Sequence, residues 1–99
     1  GEGKFNATGK IPCAQAPAQP MGFCDFGVAR VGGGTAVVAV TLPDGRQRML
    51  MFSNGKFTGA DLSQADGDKT FRATKEADLF KIQTGKERYE MPEAVITGG

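Results

Sequence analysis

The sequence predicts an all-β domain: a small antiparallel β-barrel or sandwich of about eight short strands, stapled by one disulfide. Three observations carry that expectation. Turn signals recur at short spacing, at Leu42-Pro43-Asp44-Gly45, Asn54-Gly55 and Gly85-Lys86. Between them apolar and polar residues alternate with period two, and no stretch carries the period of a long helix. Two cysteines, Cys13 and Cys24, sit eleven positions apart around a segment rich in Pro, Ala and Gln.

The first segment is the least regular. Phe5, Ala7 and Ile11 alternate weakly around Gly9, and Pro17 and Pro20 interrupt the stretch between the cysteines. Residues 23–31 read as a strand with Cys24, Phe26 and Val28 on one side. Gly32-Gly33-Gly34 is a flexible turn into a strand over 35–42. Pro43 presets the next turn, Asp44 suits its second position and Gly45 takes the left-handed one, leading to a strand over 46–53. Asn54-Gly55 is the strongest short hairpin signal, and a two-residue loop sets Phe52 opposite Phe57 and Ser53 opposite Lys56. Residues 60–69 are polar and acidic and read as a loop, with room for a helical turn at 60–64.

Gly85-Lys86 suits a type II′ turn and fixes a register. Thr84 then faces Glu87, Gln83 faces Arg88, Ile82 faces Tyr89, Lys81 faces Glu90 and Phe80 faces Met91. One face holds Phe80, Ile82, Tyr89 and Met91; the other holds Gln83, Arg88 and the opposite charges of Lys81 and Glu90. A slip of one residue destroys both patterns. Extension back through a turn at 75–78 adds Phe71 and Ala73 to the apolar face and Arg72 to the charged one. Residues 92–96 read as a last short strand. Met21, Met49, Met51 and Met91 read as core filler, since Met adapts to irregular gaps.

Ninety-nine residues make one domain, 1–99, in which Gly1-Glu2-Gly3, without an initiator Met, reads as a cloning remnant or a processed end. The formal net charge of +1 gives no global field for nucleic acid. The longest apolar run, 36–40, is strand-sized, so no membrane span is expected. Composition leaves the oligomeric state open.

The cysteines point to a compartment. The chain has no His, and two Cys alone make a poor zinc site. The Cys-x-x-Cys redox spacing is absent. What remains is a structural disulfide, Cys13–Cys24, or two free thiols. The disulfide is favoured, because such bonds follow small domains and oxidising compartments. Closing so short a loop stabilises by roughly 3 kcal/mol in the chain-entropy model. The expected location is therefore periplasmic or extracellular.

Chemistry is sparse. Without His there is no Ser-His-Asp or Cys-His arrangement. Gly32–Gly34 and the Gly-Lys pairs lack phosphate-loop spacing. Asp61, Asp66 and Asp68 cluster in the acidic loop, but Leu62 falls on the first position of an EF-hand frame. Glu87, Glu90 and Glu93 lie near a strand end, and read as surface charge rather than paired catalytic carboxylates. No catalytic residue, metal or cofactor is expected, and no enzyme. The binding candidates are Arg46, Arg48, Lys86 and Arg88, at or near two hairpin tips. If those tips share one barrel end, the four form a basic rim beside Tyr89, with Tyr and Arg the types enriched in binding hot spots.

A resemblance adds to this reading. Pro12-Cys13, Met21-Gly22-Phe23-Cys24, Leu42-Pro43-Asp44-Gly45 and Glu87-Arg88-Tyr89-Glu90-Met91-Pro92 together resemble the signature of a family of small exported bacterial domains. The similarity covers most of the chain and implies an envelope setting, without implying an activity. A looser likeness is to the bacterial inhibitors of c-type lysozyme, small periplasmic or lipid-anchored β-barrels. Their Ser-Gly-x-x-Tyr-type loop has its nearest counterparts in Thr84-Gly85-Lys86-Glu87-Arg88-Tyr89 and Ser53-Asn54-Gly55-Lys56-Phe57, and neither matches its spacing. The expected function is a non-catalytic envelope binding domain whose rim meets an acidic or sugar-rich envelope protein or cell-wall component. Lysozyme inhibition is the alternative.

Overall fold

Eight antiparallel strands and one terminal helix make up the computed structural model, which describes residues 5–61 and 70–98. In chain order they are β1 (Ala7–Ala14), β2 (Gly22–Gly32), β3 (Thr35–Thr41), β4 (Gln47–Ser53), β5 (Lys56–Asp61), β6 (Phe71–Glu76), β7 (Leu79–Thr84), β8 (Glu87–Pro92) and α1 (Glu93–Thr97). The spatial order is β5-β4-β3-β2-β1-β8-β7-β6. Two hairpin-linked runs, β1–β5 and β6–β8, are therefore joined where β1 meets β8, with Cys13 opposite Tyr89 and Ala14 opposite Arg88. The sheet curls into a nearly closed barrel.

The seam lies between β5 and β6 and is filled by side chains. Phe71 sets its ring edge-on to Phe57, 5.9 Å between centroids, and close over Gly59. The expected core position of Phe71 is thus corrected. It sits in a strand that, among the described residues, has no paired neighbour on its far side, and stays 47% exposed.

The turns formed as their residues require. Asn54 and Gly55 both have positive φ, 54° and 77°, the demand of a type I′ turn. The Gly55 amide donates to the Gly34 carbonyl at 3.0 Å, so the two turns stack. A Cβ on Gly34 would lie 2.3 Å from that amide nitrogen, which excludes any other residue there. In the Pro43 turn, Asp44 accepts the Arg46 amide at 3.0 Å. The β7–β8 register runs from Thr84 opposite Glu87 to Phe80 opposite Met91, and Phe52 stands opposite Phe57 as expected.

Inside, alternate residues supply the core: Ile11, Val28, Val38, Val40, Leu50, Phe52, Phe80, Ile82, Tyr89 and Met91 are buried. Burying each large apolar side chain contributes about 1.5–3 kcal/mol. Phe52 meets Phe57 and Phe80 edge-on, at 5.5 and 5.1 Å. The disulfide Cys13–Cys24 is formed and buried, tying β1 to β2. The methionine expectation holds for Met91 alone. Met49 and Met51 alternate with Arg48, Leu50 and Phe52, so they fall on the outer side of β4, half-buried, and Met21 is half-buried before β2.

Residues 93–97 form α1 and not the expected strand. Pro92 has no amide to extend a ladder, and its φ and ψ of −63° and 141° lead into the helix. Gly98 takes the left-handed cap, its amide donating to Ala94. Ile96 is buried at this end of the barrel, and the Arg30 Nε donates to the Val95 carbonyl at 2.9 Å. The Arg30 amide also donates to Asn6 Oδ1 at 2.6 Å. Ala60 and Asp61, expected to start a helical turn, belong to β5. The remainder of that turn, with Asp66 and Asp68 of the acidic loop, lies outside the described residues.

Candidate functional site

Alternation along β4 points Arg48 into the barrel, where it is 1% exposed. A buried guanidinium needs acceptors, and Glu87 supplies two of them. Arg48 Nε donates to Glu87 Oε1 at 2.8 Å and Nη2 to Oε2 at 3.0 Å, while Nη1 reaches the Gln47 carbonyl at 2.9 Å. Tyr89 donates its hydroxyl to Glu87 Oε1 at 3.1 Å. The Thr84 hydroxyl lies 3.1 Å from Glu87 Oε1 and 3.2 Å from the Tyr89 oxygen. The Glu87 hydrogen bond, ahead of an opposing burial cost, raises the Arg48 pKa above its ordinary value. Burial is the first cause raising that of Tyr89. Neither group changes charge near neutral pH, so the cluster acts as a fixed clasp between β4 and β8.

The β1–β2 loop, the β3–β4 turn and the β7–β8 turn do share one end of the barrel. The four rim candidates nevertheless take four different settings. Arg48 is interior, because its strand phase matches Leu50 and Phe52. Arg46 is exposed and donates through Nε to Asp44 Oδ2 at 2.7 Å. That carboxyl titrates below its ordinary 3.8, first because the Arg46 amide hydrogen-bonds to it. Lys86 is exposed at the turn. Arg88 lies on the outer wall, half-buried under the β1–β2 loop, where Nη2 donates to the carbonyls of Ala16 and Gln19. Arg48 is therefore moved from the expected rim to the interior and Arg88 to the outer wall, while Arg46 and Lys86 stay exposed at that end.

The three carboxylates near the strand end also part. Glu87 is in the clasp, Glu90 is on the outer wall, and Glu93 begins α1 and pairs with Lys75 at 2.5 Å.

Arg88 belongs to a different assembly, a cleft of about 340 Å³ on the outer wall of β6–β8, with Met21 at its border. Two cross-strand rows line it: Arg72–Gln83–Arg88 and Thr74–Lys81–Glu90. Arg72 Nη2 donates to Gln83 Oε1 at 3.0 Å, and Gln83 Nε2 donates to the Gly85 carbonyl at 3.0 Å. Lys81 pairs with Glu76 at 3.2 Å and not with Glu90, its cross-strand neighbour. Among the described residues neither Arg72 nor Arg88 has a carboxylate partner. A second concavity, about 400 Å³ on the outer face of β1–β4, differs in this respect: its charges, Lys10 and Asp25, are paired at 2.5 Å.

Comparison with protein-family models, with curated proteins and with solved structures finds no match for this chain. The fold class and the cleft are what define it: a disulfide-stapled, nearly closed barrel of eight described strands, with a groove on one wall lined by Arg72, Lys81, Arg88 and Glu90.

Proposed function

We propose that this protein is a non-catalytic binding domain of the bacterial envelope, acting in the periplasm or outside the cell. The disulfide supports the compartment, since such bonds persist where the surroundings are oxidising. The resemblance of Pro12-Cys13, Met21-Gly22-Phe23-Cys24 and Glu87-Arg88-Tyr89-Glu90-Met91-Pro92 to small exported domains agrees with an envelope setting. The observation that carries the binding role is the pair Arg72 and Arg88, flanking Gln83 in one row of the cleft without a carboxylate partner among the described residues. Guanidinium groups left in that state favour an acidic partner, such as an envelope protein or a cell-wall component.

The test is retention of envelope and purified cell-wall fractions on the immobilised protein. The comparison is a variant carrying Arg72→Glu and Lys81→Glu. Material held by the native protein and lost by the variant supports the reading. Equal retention by both removes the cleft from the reading, and no retention by either removes the binding role.

A further inference from the structure

We propose that the β6–β8 cleft is a site for a small oxyanion with two negative charges, a phosphate monoester or a dicarboxylate, held between Arg72 and Arg88. This rests on the binding-domain reading and names its ligand class. A guanidinium carries five N–H donors in a planar fork. Arg72 spends one nitrogen, Nη2, on Gln83. Arg88 spends the same nitrogen on two loop carbonyls. The Arg88 Nε is shielded from water and meets no acceptor among the described residues. A buried donor in that condition is costly, and Arg88 is left with its Nη1 donors as the ones not already bonded to the loop.

The two arginines are also held in place. Gln83 stands between them in the ladder and is itself fixed by the Gly85 carbonyl, so Arg72 is oriented before anything binds. Arg88 is oriented from the other side by the β1–β2 loop. Arg72 keeps one fork edge open and Arg88 keeps its Nη1 donors, and two guanidinium charges on one wall suit an anion with several acceptor oxygens better than a single monovalent charge. Lys81 adds a third cation at the next row, where it pairs with Glu76 and Glu90 is the one carboxylate among the described lining residues. Among the described residues no exposed aromatic ring lines the cleft, because Tyr89 turns its ring inward, and this disfavours a neutral sugar as the main ligand.

The experiment is a titration of the full native protein, read by NMR at the arginine Nε–H signals. The probes are inorganic phosphate and succinate, in buffer near physiological salt. Saturable shifts at Arg72 and Arg88, with Arg46 unmoved, are expected. Arg72→Ala weakens binding by about tenfold. Arg88→Lys, which keeps the charge and loses the fork, weakens it as well. Tighter phosphate binding assigns a phosphate monoester, and tighter succinate binding assigns a dicarboxylate. If neither probe gives saturable shifts at these arginines, the inference is overturned, while the retention test judges the binding role separately. Unchanged affinity in a folded Arg72→Ala variant also overturns it.

Discussion

Arg48 on β4 clasps Glu87 at the head of β8 through two parallel hydrogen bonds, across an interior that is otherwise largely apolar. The two residues are 39 positions apart in sequence. Their pairing holds one hairpin run against the other just inside the end where the β3–β4 and β7–β8 turns lie. Breaking one partner of a buried pair leaves the other charged and alone. Replacing both with apolar residues avoids that penalty.

Glu87→Ala is therefore expected to destabilise by about 3–5 kcal/mol. The double variant Arg48→Met, Glu87→Leu recovers most of this loss. Urea unfolding of the three proteins checks both statements. A small effect of Glu87→Ala alone would contradict the clasp.

Asp44 predicts a pH effect of definite sign. Its folded pKa is lowered, so the unfolded chain binds the proton more readily. The contribution is present above the ordinary value of 3.8 and is lost as the pH falls through the folded value. Urea midpoints measured from pH 5 down to about pH 2.5 should fall more steeply for the native protein than for Asp44→Asn. Parallel curves would remove Asp44 from the acid limb.

The disulfide gives a covalent test. Without reductant, unfolded native protein takes up no thiol label; after reduction it takes up two, one for each cysteine. Replacing Cys13 and Cys24 together with Ala costs roughly 3 kcal/mol of stability. Labelling of unreduced protein would contradict the bond.

Arg88 makes a local prediction. Its guanidinium holds the carbonyls of Ala16 and Gln19, while the loop's own bonds are Gln19 N–H to Ala16 and Gln15 N–H to the Gln19 side chain. Arg88→Ala should speed hydrogen exchange at the Gln15 and Gln19 amides. Amides of the β7–β8 ladder, such as that of Ile82, keep their protection. Faster exchange throughout the sheet would mean that Arg88 supports the whole fold.

Lysozyme offers a discriminating negative. A c-type lysozyme is itself basic, and the Arg72, Lys81 and Arg88 wall repels it at low salt. The two stretches nearest to an inhibitory loop both lie in tight hairpin turns, at opposite ends of the barrel. The expected result is full lysozyme activity in the presence of excess native protein. Strong inhibition would replace the proposed function with the inhibitor reading.

The features legible in the sequence were local. Asn54-Gly55 and Gly85-Lys86 dictate their own turns, and a two-residue turn then sets every pairing up the ladder, including Ile82 with Tyr89. The same register placed Arg72, Lys81, Gln83, Arg88 and Glu90 on one charged face. The wall of the cleft was thus readable as a list, although not as a concavity, which depends on sheet curvature and on the loop bringing Met21 alongside. Arg48 shares the strand phase of Leu50 and Phe52, yet a charge at that phase reads as outward until its distant partner is known. Helix α1 is similarly a tertiary result. Five residues do not hold a helix by themselves, and this one is seated by Ile96 and capped through Arg30.

Arg30 touches both described ends of the chain: its amide holds Asn6, its Nε holds Val95, and Gly98 lies beside its guanidinium. Across Arg30, residues 6 and 98 are separated by a short gap. A short Gly-Ser linker from 98 to 6 would close that gap, and a cut between Asp44 and Gly45 would open another without removing a strand. The rearranged chain would keep its ladders while changing the order in which they are made. In the native order β1 must wait for β8, some 76 residues later, to pair Cys13 with Tyr89. In the rejoined order that partnership spans only α1 and the linker, and the distant pairing becomes that of β3 with β4 instead.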